Sequence, residues 1–190
     1  MTSRIATLLL ALAAFLGLSA PAASAAPALP PYETWVADVR AVTEPASAYL
    51  TERLGRPGGK PAIVLDIDNT SLETKYHFDA FTVPALPPTL DLVRRAKNQG
   101  AAVFFVTGRP DFLRALTKSN LDRVGYPVDG LYLRPALSPD PLNVPKTKAR
   151  IAIEELGYTI VANIGNNDTD LVGGHAERTF KLPDYDGQLD

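Results

Sequence analysis

The chain of 190 residues has no cysteine at all, and only one methionine, one tryptophan and two histidines. Without cysteine there can be no disulfide and no lipid-modified cysteine, so the fold has to rest on its buried core. An excess of positive charge is also missing. Lys and Arg total 19 against 21 Asp and Glu, a formal charge of −2, and no run of Lys or Arg occurs. That excludes the electrostatic footprint of a nucleic-acid binder and the basic patch of a membrane-surface protein. The apolar run at residues 5–18 falls short of the ~20 residues a spanning helix needs. With 46% hydrophobic and 21% charged residues, what remains is one ordinary globular domain.

That N-terminal run follows Arg4 and leads to Ala23-Ser24-Ala25, a small-residue cleavage pattern. The pattern predicts a secretory signal peptide over 1–25 and a mature domain over 26–190. The product is then secreted, with no stable membrane association after cleavage. The alternative is an uncleaved N-terminal anchor.

In the mature chain, residues 32–54 have helical spacing, with Trp35, Val39, Val42, Tyr49 and Leu50 inward and Pro45 expected to kink or split the helix. The Gly/Pro-rich stretch 55–61 is a breaker. Residues 62–65 form a short apolar run rich in β-branched residues, which reads as a strand buried on both faces. Alternation then predicts helices over 89–98, 111–124 and 146–156, and strands over 101–106, 131–133, 159–164 and 178–182. Such alternation implies right-handed crossovers and a mainly parallel sheet, an α/β fold. The irregular stretch 71–88 carries Tyr76, His77, Phe78 and Phe81, which serve either local packing or a substrate wall.

Polar turns follow three of these strands. The first is Asp66-Ile67-Asp68-Asn69-Thr70, where the period of two points Asp66 and Asp68 the same way. The second is Thr107-Gly108-Arg109, and the third is Gly165-Asn166-Asn167-Asp168-Thr169-Asp170. In a parallel sheet all three ends share the edge where open α/β sheets bind ligands. Lys146 opens the helix leading into the third of these strands.

In this order the pieces resemble the four motifs of the haloacid dehalogenase (HAD) superfamily of phosphotransferases. Lys146 with Thr147 and Arg150, and the run Arg178-Thr179-Phe180-Lys181-Leu182-Pro183, are most similar to its secreted acid phosphatases. The resemblance implies a Rossmann-like three-layer α/β/α sandwich, with 71–88 as a small cap insertion. It also implies a phosphomonoesterase working through an aspartyl-phosphate. By resemblance Asp66 is the nucleophile and Asp68 the general acid and base. Thr107, Gly108 and Arg109 bind the phosphoryl group, and Lys146 neutralises its charge. Mg²⁺ is expected on the Asp66 carboxylate, the Asp68 main-chain carbonyl and a side-chain oxygen of the third turn. Asn166 stands where Gly-Asp is common, so Asn166, Asp170 and Asp168 all stay open as that ligand. The substrate is a small phosphomonoester and not a nucleic-acid polymer, and the short cap favours a broad range. Two alternatives are a nucleotide-selective phosphatase, using the aromatics near His77, and a non-catalytic phosphate-binding protein that keeps the fold. Two glycosylation patterns, at Asn69 and Asn167, lie inside the expected site and are expected to stay unused.

Overall fold

The computed structural model describes residues 28–189 except 57, 78, 80 and 81. The expected signal peptide lies outside them, as do Phe78 and Phe81. Five strands form one sheet in the order β3-β2-β1-β4-β5. They are β1 (Lys60–Leu65), β2 (Ala102–Pro110), β3 (Gly130–Arg134), β4 (Tyr158–Gly165) and β5 (Thr179–Lys181). Every neighbouring pair is parallel, and β1 holds the centre, as its unbroken apolar run requires.

The sheet's two faces bury different side chains, set by the period of two along each strand. Ile63, Leu65, Val103 and Phe105 pack with Trp35, Val39 and Leu50 of α1 (Tyr32–Leu54), Leu92 and Val93 of α2 (Pro87–Asn98), and Leu121 of α3 (Arg114–Arg123). Ala62, Val64, Phe104 and Val106 face the other way, onto Ala149 and Ile153 of α4 (Asn143–Glu155). The result is the three-layer α/β/α sandwich. Among the described residues no helix is long and apolar enough to cross a membrane.

Three expectations change. Helix α1 runs through Pro45 without a break. The ring sits on the exposed side, where water satisfies the carbonyl that the missing N–H leaves open. The inward stripe of α1 is Trp35, Val39, Thr43, Ala46 and Leu50, with Val42 and Tyr49 half-buried at its margin. Helix α4 begins at Asn143, so Lys146 lies in its first turn and not at its start. Pro145 is tolerated there because first-turn N–H groups have no intrahelical partner.

The described residues of the stretch 71–88 dock against the α1 side of the core. Leu72 and Leu86 are fully buried. The Tyr76 ring stacks on Trp35 at 4.6 Å, and its hydroxyl donates to the Pro30 carbonyl at 2.7 Å. His77 Nδ1 pairs with the buried Glu73 carboxylate at 2.6 Å. Tyr76 and His77 therefore pack locally.

Candidate active site

Strands β1, β2 and β4 end side by side, and their turns enclose a crevice of about 170 Å³. Asp66, Asp68, Thr107, Gly108, Lys146 and Asn166 are among its walls. Asp66 continues the β1 ladder, its N–H donating to the Ile164 carbonyl at 3.0 Å. The chain then turns sharply, with Asn69 in the left-handed region at φ 54°, a conformation asparagine tolerates better than most residues. Ser71 Oγ closes the turn by donating to the Asp66 carbonyl at 2.7 Å.

Lys146 reaches this edge from the first turn of α4. Its Nζ donates to Asp66 Oδ1 at 3.0 Å and also pairs with Asp170 Oδ1. All three groups are buried. Asp170 lies in a single-turn helix, α5 (Asp168–Leu171), that the sequence reading omits. There its Oδ2 accepts from the Asn167 N–H at 2.8 Å, half of a capping box. Glycine is required at 165 because a Cβ there would collide with the Asp170 carboxylate.

Asp68 has different company. Arg109 grips it with both arms, Nε to Oδ2 at 2.8 Å and Nη2 to Oδ1 at 2.6 Å. Thr74 adds a hydroxyl donor at 2.7 Å. Arg109, expected on the phosphoryl group, is here committed to Asp68. The Asn166 Oδ1 accepts from the Thr70 hydroxyl at 2.8 Å. Asp168 is exposed, and its carboxylate pairs with Lys181 at 3.2 Å, away from the crevice walls.

The two aspartates of the first turn are driven apart in acidity. Burial pushes Asp66 up to about 7, helped by the Asp170 charge and opposed by Lys146. Burial also works on Asp68, but the hydrogen bonds and charge of Arg109, with Thr74, hold it below the usual carboxylate range. Burial lowers Lys146, yet Asp66 and Asp170 more than reverse that, so it stays a firm cation.

Once Asp66 is ionised, three carboxylates (Asp66, Asp68, Asp170) face two cations (Lys146, Arg109), which leaves one negative charge in excess. A divalent cation would offset it. The Asp66 carboxylate, the Asn166 amide Oδ1 and the Asp68 main-chain carbonyl are oxygen atoms, the donor type hard cations such as Mg²⁺ take. Among the described residues no three His, Cys, Asp or Glu side chains converge as a metal cluster. Main-chain and amide oxygens would therefore have to complete the set.

Sequence reasoning missed several partners. Thr70 stood inside the first motif with no role, and Thr74 lay in an irregular stretch. Arg150 enters the sequence reading only through the family resemblance. It is fully buried, and its Nη1 and Nε donate to the carbonyls of Asp170 at 2.7 Å and Gly174 at 2.9 Å. It thereby pins the loop that carries Asp170. Leu189 lines the crevice, and nothing in its sequence neighbourhood signals that. Asn69 is buried with its amide engaged, which argues against its use as a glycosylation site.

The family model described as HAD superfamily, subfamily IIIB (acid phosphatase), matches residues 17–188. A Stem 28 kDa glycoprotein of Glycine max is 39% identical over 105 residues, 53% of this chain and 41% of that protein. Acid phosphatase 1 of Solanum lycopersicum is 30% identical over 147 residues, 66% of this chain and 58% of that protein. Vegetative storage protein 1 of Arabidopsis thaliana is 36% identical over 103 residues, 54% of this chain and 38% of that protein. The chain thus spans less than two thirds of the length of each of these curated relatives. The solved class C acid phosphatase from Bacillus anthracis superposes with a TM-score of 0.61 at 22% identity, covering 75% of this chain and 66% of that one. That likeness is one of fold.

Proposed function

The chain belongs to the HAD superfamily, subfamily IIIB (acid phosphatase), and from that membership and its crevice we propose a secreted, Mg²⁺-dependent phosphomonoesterase. The observation that carries the reading is the Lys146 ammonium set between the buried carboxylates of Asp66 and Asp170 where three strands end. Such a site holds a nucleophile and a fixed positive charge within reach of one phosphoryl group. Positioning and charge neutralisation supply most of the rate of phosphoryl transfer.

In the first step an Asp66 carboxylate oxygen attacks phosphorus. The bond from phosphorus to the ester oxygen breaks, and Asp68 gives that oxygen a proton, releasing the alcohol. In the second step a water passes a proton to Asp68 while its oxygen attacks the aspartyl-phosphate. Inorganic phosphate leaves, and Asp66 is a carboxylate again. Thr107 and the Gly108 N–H hold the phosphoryl oxygens, and Lys146 neutralises their charge. Arg109 must loosen its two-armed grip for Asp68 to carry a proton, and arriving phosphoryl oxygens give the guanidinium a competing partner. Mg²⁺, held by Asp66, the Asp68 carbonyl and Asn166, would favour ionised Asp66 and offset the charge of the phosphate. The stretch 71–88 serves as the small cap, and an open site of this kind suits a range of small phosphomonoesters.

A second reading from a different class is a non-catalytic protein on the same fold. Vegetative storage protein is the name of one relative, and the amide of Asn166 in place of a carboxylate leans that way. Retention of Asp66, Asp68 and Lys146 in one crevice favours the enzyme. A nucleotide-selective site built on the aromatics loses Tyr76, whose ring is covered by Trp35. Hydrolysis of p-nitrophenyl phosphate by the mature protein tests the proposal. Turnover with Mg²⁺, lost in chelator and restored by adding the ion back, is expected. No turnover under any condition would favour the second reading, and turnover indifferent to chelator would remove the metal.

A further inference from the structure

The segment after β5 folds back as a strap over the end of the sheet. Lys181 Nζ meets Asp184 at 2.6 Å, and the Leu189 N–H donates to the Asp184 carbonyl at 3.1 Å. The Tyr185 hydroxyl donates to Asp38 of α1 at 2.7 Å, and the Leu189 side chain is buried in the α1-side core. These anchors bring the Leu189 main-chain carbonyl to the crevice. There it accepts from two side-chain amides, Asn69 Nδ2 at 2.7 Å and Asn166 Nδ2 at 3.1 Å.

A primary amide has an oxygen end and an NH₂ end, and its partners decide which way it faces. The Thr70 hydroxyl beside Asn166 is permissive, because a hydroxyl both donates and accepts. It accepts from the Asn166 N–H at 3.0 Å and donates to Oδ1 at 2.8 Å, but it could equally take an NH₂ proton. The Leu189 carbonyl is not permissive. It only accepts, so only the NH₂ end can face it.

We propose that the strap of residues 183–189 orients the Asn166 amide through the Leu189 carbonyl, keeping its oxygen on the Thr70 side and available to a divalent cation. The inference rests on the reading of Asn166 as a metal ligand. Leu189 is then a positioning element, acting through Asn166. The asparagine and the strap are a matched pair. A carboxylate at position 166 has no proton for the Leu189 carbonyl and would set two acceptors against each other. Without the strap, the amide is free to turn its NH₂ toward the cation, which repels the N–H hydrogens because the nitrogen lone pair is delocalised into the carbonyl. A carboxylate there would then become the better residue, since both its ends are oxygen. The effect of Asn166→Asp therefore changes sign with the strap.

Four chains test this: the parent, Asn166→Asp, a chain stopped after Gly187, and the two changes combined. Melting in chelator reads the grip without metal or turnover. Asn166→Asp buries a further negative charge in both chains and so lowers both midpoints; the drop is expected to be larger in the full chain, by about 3 °C, where the carboxylate also faces the Leu189 carbonyl. Equal drops in both overturn the pairing. Calorimetric titration with Mg²⁺ reads the orientation. Shortening is expected to weaken binding roughly tenfold, the scale on which supporting contacts tune metal sites. Adding Asn166→Asp to the shortened chain is expected to regain most of that loss. Unchanged affinity on shortening, or a further loss in the combined chain, overturns the proposal. If the shortened chain does not fold, Asp184→Ala with Tyr185→Phe removes two side-chain anchors of the strap at full length, and the same cycle applies. A parent that binds no Mg²⁺ overturns the metal reading and the strap's effect on it, while the melting cycle still decides whether Asn166 and the strap are paired. Neither readout needs turnover, so a failure of the enzyme reading is seen separately.

Discussion

Asp66→Asn should abolish turnover and, at the same time, remove most of the pH dependence of stability between pH 5 and 7 in the metal-free protein. Asp66 is buried in charge-rich surroundings, and its pKa moves from the ordinary 3.8 up to about 7. Between those two values the folded chain holds a proton that the unfolded chain has released. Stability from this group is therefore fully present below about pH 4 and is lost as pH rises toward 7. At about 1.4 kcal/mol per pH unit, the loss between pH 5 and 7 is on the order of 2 kcal/mol. Asp68 is displaced downward and Lys146 upward, so their contributions fade below the carboxylate range and above the lysine range, outside this window. Asparagine is close to isosteric and carries no titrating proton. Urea unfolding in chelator at pH 5 and pH 7 measures the effect for both proteins. The parent should lose about 2 kcal/mol more than the variant, and the variant should be the more stable of the two at pH 7. The same pH slope in both proteins would refute the argument that burial, with Asp170 beside it, keeps Asp66 protonated.

Other outcomes follow from the same geometry. Arg109→Ala frees Asp68 from its two-armed partner, so its pKa rises toward or above the ordinary carboxylate value and the basic limb of the pH–rate profile moves to higher pH; a stationary limb would mean that Asp68 is not the acid. Lys146→Met removes the one cation shared by Asp66 and Asp170 and should cost at least about 3 kcal/mol at pH 7, with a smaller cost at pH 5, where Asp66 can keep a proton; urea midpoints at the two pH values check this. Arg150→Met removes a buried guanidinium whose donors tie the Asp170, Val172 and Gly174 carbonyls together and should cost on the order of 3 kcal/mol, read by the same unfolding experiment. Secreted material should begin at Ala26, and N-terminal sequencing that finds Arg4 still attached would contradict the leader.

How far the sequence could be read depended on the range of the interaction. The central strands were legible because burial on both faces demands unbroken apolar runs such as Ile63-Val64-Leu65. Their ends were legible because Asp, Asn and Gly mark the turns. The convergence of Asp66, Thr107 and Asn166 then followed from parallel topology, whereas Lys146 entered through its position ahead of β4 and the family resemblance. Pro45 misled because exposure, which decides whether a proline breaks a helix, is a tertiary property. The start of α4 misled because a proline in the first turn looks like a boundary. The pairings inside the site were beyond reach. Arg109 on Asp68 spans 41 positions and the Asn69 amide on Leu189 spans 120. Each depends on where a distant segment returns, and no local pattern of Gln188-Leu189 records that.

Attack of Asp66 on phosphorus leaves a covalent trace that can be trapped directly. Mixing the protein with a phosphomonoester and quenching in acid within one turnover should trap a protein-bound phosphoryl group. Peptide mass analysis should place it on the segment containing Asp66, sensitive to hydroxylamine as an acyl phosphate is, and absent from Asp66→Asn. Release of inorganic phosphate with no phosphoryl group on that peptide at any time, or the same adduct in Asp66→Asn, would contradict the account.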